Sequence, residues 1–404
     1  MITRMLADPA ALSKSLVDFT RDLVRVPSRA GIDSYAPVLD LIQKWLDSHG
    51  IPTERVRLPK GELIAVVANI GNSARGPTYL LNAPADTADF GDEAAWNCHP
   101  TAGLIQDGWL FGRGSADCKA GISIFCHIAA ALRTSADPLN GSIALVFDTE
   151  EHSGTFLGIR RFFETHAKKC EIRAAMIGYP GQDRIIIGCR GFFRATIRVH
   201  GKSAHSGSSH SRGVNAITRA VRLVEMLQQT QLPTDTLDQF PLPPQITITQ
   251  ISGGHGFSGI PDLCSLNVDI RLTPTFAEEQ ARLVLVEAVG YLDRETVCPR
   301  ATEIESLEGF GSYVLDPSSP VVSALQISAL RVLGRSVSTA IAGPSSVGNY
   351  LASLGIPATS GFGVECRNLH AANECMAVDS ILPAYQVYRA ALEELLGTIH
   401  APAS

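Results

Sequence analysis

The sequence lacks several features that would assign it to a broad class at once. It has no Cys-x-x-Cys pair, and its nine cysteines are an odd number, so neither a thiolate zinc cage nor a complete disulfide framework fits. Its longest apolar runs, such as 63–67 and 143–147, fall far short of the roughly 20 residues that a membrane helix needs. The sequence therefore predicts no membrane span, and cysteines that are mostly buried, reduced thiols.

An excess of positive charge is also missing. The 404 residues include 34 Lys+Arg and 40 Asp+Glu, a net charge of −6, which gives no general attraction to nucleic acid or to an anionic membrane. The opening segment has no apolar stretch of the kind that a secretory signal contains. We expect a cytoplasmic protein that acts on a small molecule and binds neither nucleic acid nor membrane.

Hydrophobic periodicity predicts an α/β domain that is interrupted by a smaller domain. Apolar residues at helical spacing open the chain, and buried strands at 63–70, 79–82 and 143–147 follow, with a helix between the last two. From about residue 192 the strands alternate apolar and polar residues, which is typical of a half-buried sheet. We predict a layered α/β domain formed by 1–190 and 304–404, and an inserted α+β domain at 191–303.

Three polar clusters follow the predicted strands, where open α/β sheets bind their ligands. Asp117 lies in GRGSADCKAG, Glu150 and Glu151 lie in FDTEEHSG, and His370 lies in RNLHAANE. Taken singly, such residues are usually a helix cap, a solvated turn and a surface histidine. Together they supply the oxygen and nitrogen ligands that zinc or manganese accepts, and a second Glu beside a ligand is suited to act as a base.

The order of the motifs resembles a known enzyme family. Five ordered motifs are similar to those of the metallopeptidase family of acetylornithine deacetylase, succinyl-diaminopimelate desuccinylase, aminoacylase and carboxypeptidase G. They are GRGSADCKAG, DTEEHSG, VHGKSAHSG with RGVNAI, ISGG…IPD…VDIR, and NLHAANE. The resemblance covers essentially the whole chain. It implies an α/β catalytic domain with a cocatalytic di-zinc centre, and a lid domain through which the chain forms a homodimer or a higher homo-oligomer.

The resemblance also implies roles for individual residues in the catalytic domain. Asp117 would be the metal-bridging carboxylate, Glu151 and His370 the other ligands of one metal, and Glu150 the general base.

Further residues are expected to contact the substrate. By the same resemblance, His205 would reach the active site of a neighbouring subunit and stabilise the oxyanion, and Arg271 would bind a substrate carboxylate. Gly361 and Gly363 fit the glycine-rich substrate loop of the family. The alternatives are a lid-surface histidine for His205 and an ordinary strand ion pair for Arg271.

The chain departs from the family pattern at two metal ligands. The family begins with His-x-Asp, whereas here Pro84 precedes Ala85 and Asp86, and Tyr179 stands where the family has an acidic ligand. A phenol is a poor zinc ligand at neutral pH because its pKa is near 10. In the family both lost ligands hold the same metal, so we predict one divalent ion per subunit, zinc or manganese or else cobalt. Asp86 and Tyr179 would then be free to contact each other or the substrate.

The leading hypothesis is a metal-dependent hydrolase that cleaves an amide C–N bond in a small, carboxylate-bearing substrate, with metal-activated water and Glu150 as general base. A second hypothesis is hydrolytic deamination of an aromatic amine in a flat pocket lined by Pro84, Tyr179 and Phe362. A third is a non-catalytic binding homologue. Weaker alternatives are a thiol enzyme that uses Cys118, and a site in which Cys98 or His99 replaces a lost ligand.

Overall fold

A computed structural model describes residues 8–134, 139–166, 171–210, 212–307 and 309–397. The chain forms two compact units. The first comprises Met1–Gly188, Leu315–Ala340 and Ser346–Ser404, and the second comprises Cys189–Val314 and Ile341–Ser345. A mixed α/β unit with a second unit inserted into it confirms the predicted fold class. Cys170 lies outside the described residues.

A six-stranded sheet forms the centre of the first unit. Its strands, in spatial order, are Thr53–Arg57, Leu63–Gly71, Ser142–Asp148, Thr78–Asn82, Ile172–Ile177 and Ala358–Thr359. The first three pair antiparallel, and the last four run parallel to one another. Every residue of Ser142–Asp148 is buried, which is the pattern of a strand covered on both faces. Four neighbouring parallel strands therefore end at the same edge of this sheet.

Seven α-helices of the described chain belong to the first unit: Pro9–Val24, Ala36–Ser48, Ala120–Arg133, Leu157–Thr165, Pro320–Leu333, Val347–Ser353 and Ile381–Leu396. Ala120–Arg133 is buried from its first residue to Leu132. A Cβ atom on Gly121 would lie 2.2 Å from the carbonyl oxygen of Gly178, so glycine is required for this helix to approach the end of a strand so closely.

A smaller sheet connects two segments that carry site residues. Its strands, in spatial order, are Cys366–Arg367, Cys375–Ala377, Trp109–Phe111 and Leu104–Gln106. Cys366–Arg367 pairs antiparallel with Cys375–Ala377, which pairs in turn with Trp109–Phe111. The loop that contains His370 is therefore held beside the segment that leads to Asp117.

The second unit contains an antiparallel sheet in the order Gln245–Gly253, Leu263–Leu272, Gly191–His200 and Glu303–Ser306. Its helices are Ala216–Gln229 and Glu278–Glu295, and Ala204–His205 pairs with Gly259–Ile260. Alternate residues of the central strands pack with both helices in one core, as the period-two pattern predicts.

Three short strands lie where the chain passes from one unit to the other: Arg184–Cys189, Tyr313–Val314 and Ser338–Ala342. No helix within the described ranges has both the length and the apolar character required to cross a membrane.

Candidate metal centre

Polar side chains gather at the edge of the first unit's sheet where parallel strands end. Asp86 follows Thr78–Asn82, the run Glu150 to His152 follows Ser142–Asp148, and Tyr179 follows Ile172–Ile177. Asp117 lies in the turn before a buried helix, and His370 lies in the loop of the smaller sheet.

Asp117 is in contact with two imidazoles. Its Oδ2 lies 3.0 Å from His370 Nε2 and 3.8 Å from His152 Nε2, and its Oδ1 accepts a hydrogen bond from Cys118 Sγ at 2.8 Å. Burial alone would raise the pKa of Asp117, but the hydrogen bonds and charges of His152 and His370 hold this pKa well below its usual range. The carboxylate is therefore ionised and ready to accept a cation.

His152 is surrounded by carboxylates. Its Nδ1 lies 3.1 Å from Glu151 Oε2 and 3.4 Å from Asp86 Oδ2. Burial lowers the pKa of His152, but the neighbouring Glu151, Asp117 and Asp86 outweigh burial and raise this pKa well above its usual value. Without a bound metal ion, the imidazole therefore supplies positive charge to a buried acidic cluster, a charge that a metal ion would replace.

Asp117, His152 and His370 together fit a divalent ion. Each offers one ligand atom, and these atoms all lie within 4.8 Å of one another. One carboxylate and two imidazoles form a donor set that zinc and manganese accept. Both ring nitrogens of His152 are buried, and neither makes a well-aligned hydrogen bond with a described residue. Because buried polar atoms are rarely left without a partner, Nε2, which faces Asp117, is consistent with a ligand between the three side chains.

Glu151 interacts with Tyr179 rather than with His370. Tyr179 Oη donates a hydrogen bond to Glu151 Oε1 at 2.7 Å. Burial raises the pKa of Glu151 to about 7, with the charges of Asp117 and Asp86 acting in the same direction. Burial also raises the pKa of Tyr179 well above its usual value, so the phenol keeps its proton and acts as a donor.

Asp86 is completely buried and fixes the turn that follows the strand Ser142–Asp148. Its two carboxylate oxygens accept the backbone N–H groups of Glu151, at 3.3 Å, and His152, at 2.9 Å. The described hydrogen bonds of Asp86 therefore go to this turn, whereas Tyr179 contacts Glu151.

Glu150 has a separate set of partners. Its backbone has a φ of +70°, and its Oε1 accepts a hydrogen bond from Tyr35 Oη at 2.5 Å. Thr155 Oγ1 lies 3.4 Å from Glu150 Oε2. Burial, followed by the hydrogen bond with Glu150, raises the pKa of Tyr35, so its hydroxyl remains a donor. Two hydroxyl groups thus orient this carboxylate.

Comparison with known proteins assigns the family. Residues 80–394 match the family model described as peptidase family M20/M25/M40. The chain belongs to this family. A succinyl-diaminopimelate desuccinylase from Rhodospirillum centenum is 28% identical over 403 residues, which cover 96% of this chain and 97% of the relative. The fold is similar to that of the di-peptidase Dug1p from Saccharomyces cerevisiae, with a TM-score of 0.79, 14% identity and 99% of each chain covered.

A dinuclear metal-binding M20 peptidase from Bacillus subtilis has the same fold, with a TM-score of 0.67 and 20% identity over 96% of this chain and 100% of that one. Membership in the M20 family confirms the predicted metal-dependent hydrolase that acts on amide bonds. The hypothesis of a non-catalytic homologue is therefore not supported.

The two glycines of the predicted substrate loop lie against Tyr179. A Cβ atom on Gly363 would lie 2.3 Å from the carbonyl oxygen of Tyr179, and Gly361 has a φ of +133°. Phe362, between them, is fully buried and meets the ring of Tyr388 edge-on, with the centroids 6.1 Å apart. Phe362 therefore offers no exposed flat wall of the kind that the aromatic deaminase hypothesis requires.

His205 and Arg271 lie in the second unit. His205 is exposed, and its Nδ1 accepts the backbone N–H of Gly207 at 3.0 Å. Arg271 Nε lies 2.8 Å from Asp269 Oδ1, the strand ion pair considered as the alternative, and its Nη1 donates to Ser345 Oγ at 3.2 Å.

Three residues at this site have no role predicted from the sequence: Tyr35, His152 and Glu374. His152 directly follows the two acidic residues at a buried strand end, which is a signal that could have been used. Glu374 is completely buried and accepts the backbone N–H of Gly114 at 3.0 Å and a hydrogen bond from Arg113 at 2.6 Å.

The cysteine and histidine alternatives receive no support. Burial, with the adjacent Asp117 carboxylate, raises the pKa of the Cys118 thiol well above its usual value, which is the opposite of what a thiolate nucleophile needs. His99 is exposed, and its Nδ1 lies 2.8 Å from Thr101 Oγ1.

Proposed function

We propose that the protein is a single-metal amidohydrolase that cleaves a small, carboxylate-bearing amide. The observation that carries the proposal is the convergence of Asp117, His152 and His370 donor atoms within 4.8 Å of one another at the edge of the sheet. Asp117 and His370 hold the ion. The third ligand is one of two adjacent residues, Glu151, which the sequence predicts, or His152. Zinc, manganese and cobalt are the candidate ions.

A second ion is not expected, because the side chains at its position are poor ligands. The side chain of Pro84 has no ligand atom, and the hydroxyl of Tyr179 donates its hydrogen bond to Glu151 Oε1. We propose that these two side chains instead contact part of the substrate.

Glu150 acts as the general base and then as the general acid. When bound, the divalent ion polarises the scissile carbonyl and lowers the pKa of a water molecule. Glu150 accepts the proton of that water and transfers it to the amine that leaves. Tyr35 supports this role because its hydroxyl fixes one oxygen of the carboxylate at 2.5 Å. The exposed His205, contributed by a second subunit, stabilises the oxyanion.

Arg271 binds a carboxylate of the substrate. It lines a cavity of about 710 Å³ in the second unit together with Arg190, Arg194 and Asp269. Three guanidinium groups face one carboxylate there, so the lining has an excess of positive charge. Guanidinium groups bind carboxylates through paired hydrogen bonds, which supports an acidic substrate. The similarity to succinyl-diaminopimelate desuccinylases makes N-succinyl amino acids the first class to test.

The second unit serves as a lid and as the dimer interface. Gln245–Gly253 is an edge strand of its sheet, and it is exposed along most of its length. An exposed edge strand can pair with a second copy of the same chain, which supports a homodimer.

The proposal is tested by replacing Glu150. We expect Glu150→Gln to retain about one ion per chain and to reduce amide hydrolysis at least about 100-fold, because the amide cannot accept the proton. Metal content is measured by mass spectrometry, and turnover is measured on N-succinyl and N-acetyl amino acids and on dipeptides. Glu93→Gln, an exposed glutamate of the same unit, is the matched control.

Two results would contradict the proposal. Undiminished hydrolysis by Glu150→Gln would exclude Glu150 as the general base. A wild-type protein that binds no divalent ion would exclude a metal-dependent mechanism. Ammonia release from aminobenzoate-type compounds, without amide hydrolysis, would favour the deaminase hypothesis instead.

A further inference from the structure

We infer that His152, rather than Glu151, is the third protein ligand of the metal. The inference rests on the proposed single-metal function and concerns the donor set of the same site. It assigns the ion to one carboxylate and two imidazoles, from Asp117, His152 and His370.

The distances between donor atoms favour this set. With metal–ligand distances of 2.0–2.1 Å, two ligands of a tetrahedral zinc ion lie about 3.4 Å apart. Asp117 Oδ2 lies 3.0 Å from His370 Nε2 and 3.8 Å from His152 Nε2, on either side of that value. All three ligand atoms lie within 4.8 Å of one another, so movement of the two imidazole rings would bring them to one ion.

The other nitrogen of His152 has the surroundings of a metal-binding histidine. Such a histidine almost always donates its second ring N–H to a carboxylate, which fixes the direction of the ring. His152 Nδ1 lies 3.1 Å from Glu151 Oε2 and 3.4 Å from Asp86 Oδ2. Asp86 also accepts the backbone N–H of His152 at 2.9 Å, so the same carboxylate fixes both the main chain and the ring.

Glu151 is held beside His152 by contacts to both of its carboxylate oxygens. Its Oε1 accepts the hydroxyl of Tyr179 at 2.7 Å, while its Oε2 faces His152 Nδ1. Both oxygens thus have partners, and Oε2 lies beside Nδ1 rather than beside Nε2. Glu151 is therefore a positioning residue that orients His152, and Tyr179 holds Glu151 in place.

Spectroscopy of the metal-loaded protein tests the inference without reference to turnover. X-ray absorption of the zinc-loaded wild type is expected to show two imidazole ligands, and His152→Ala is expected to show one. We expect His152→Ala to weaken zinc affinity, measured by competition with a chelator, by more than the 10–100-fold loss that is typical of a residue outside the coordination sphere. Glu151→Gln is expected to remain within that 10–100-fold range. His99→Ala is the matched histidine control and should bind zinc as the wild type does.

The outcomes separate this inference from the proposed function. One imidazole in the wild type, or full affinity in His152→Ala with loss of zinc in Glu151→Gln, overturns the role of His152 and leaves the metal hydrolase intact. Failure of the wild type to bind zinc, manganese or cobalt overturns both. The wild-type spectrum decides the question even if His152→Ala does not fold.

Discussion

His127 shows how burial of one side chain makes stability depend on pH. Its Nδ1 lies 2.8 Å from the carbonyl oxygen of Ser123, which can only accept, so Nδ1 carries the proton and Nε2 accepts from Ser15 Oγ at 2.9 Å. Burial lowers the pKa of His127 from 6.5 to about 4, although the bond to Ser123 opposes the shift. Between these values the unfolded chain binds a proton that the folded chain does not, so stability is complete above pH 6.5 and falls toward pH 4.

We expect His127→Gln to lose this part of the pH dependence. The loss of unfolding free energy between pH 7 and pH 4 should be smaller in the variant than in the wild type by about 3 kcal/mol, from 1.36 kcal/mol per pKa unit. Urea unfolding followed by tryptophan fluorescence measures the difference, since the ring of Trp45 lies 4.7 Å from that of His127. Parallel curves for the two proteins would show that His127 titrates alike in the folded and unfolded states.

Residue types and motif positions predict only part of the site. Asp117, Glu151 and His370 could be proposed as ligands because carboxylates and an imidazole follow predicted strands in a recognisable order. The proposed replacement of Glu151 by His152 as a ligand could not be predicted, because adjacent residues on a turn point in directions that depend on their partners. Those partners, Asp86 and Tyr179, lie in the segments that follow two other strands.

At the scale of elements, a buried glutamate joins the two loops that supply Asp117 and His370. Glu374 Oε1 lies 3.0 Å from the backbone nitrogen of Gly114 and 3.4 Å from that of Asp117, and its Oε2 lies 2.6 Å from Arg113 Nη1. The side chains of Glu374 and Arg113 are 0% and 2% exposed. Removing one partner of a buried ion pair leaves the other charge uncompensated, which costs about 3–5 kcal/mol.

We therefore expect Glu374→Gln to reduce stability by about 3–5 kcal/mol and to weaken metal affinity about 10–100-fold. Chemical unfolding and chelator competition measure the two effects. Glu164→Gln, which removes an ion pair with Arg161 at a position where the glutamate is 58% exposed, should change stability by less than about 1 kcal/mol. If the Glu374→Gln protein is destabilised but binds zinc with unchanged affinity, Glu374 stabilises the fold and does not support the metal site.

Elements were easier to predict than these connections between loops. The strands Leu63–Gly71, Thr78–Asn82 and Ser142–Asp148 follow from apolar runs bounded by turn residues, and the alternating strands of the second unit follow from period-two patterning. The pairing of Cys375–Ala377 with Trp109–Phe111 joins strands of three residues that are far apart in the chain. Segments that short contain too few residues to establish a periodic pattern.

At the scale of the whole molecule, the inserted unit could be recognised from the change in strand character after residue 191. No sequence pattern indicates that the chain returns to the second unit at Ile341–Ser345. Local patterns report how a segment folds and not which distant segment it contacts. In the proposed function this short return is important because Gly343 and Pro344 line the arginine-rich cavity, and Ser345 accepts a hydrogen bond from Arg271.

Sharing of active sites between subunits can be tested by mixing two inactive variants. His205 Nδ1 accepts a backbone N–H, so the proton of a neutral ring lies on Nε2, where it can be donated to an oxyanion in another subunit. If His205 acts across the dimer, a hybrid of Glu150→Gln and His205→Ala has one site with both substitutions and one with neither. Random pairing of equal amounts makes half of the dimers hybrids, so about one quarter of wild-type activity should return.

The experiment requires co-expression, or unfolding and joint refolding, so that subunits can exchange. Sedimentation first establishes that each variant is a dimer. If His205 instead serves the site of its own chain, every site in the mixture carries one substitution, and activity stays at the level of the separate variants. Recovery would therefore show that a residue of the second unit completes the site of another subunit, and that a chain unable to pair is inactive even with its metal bound.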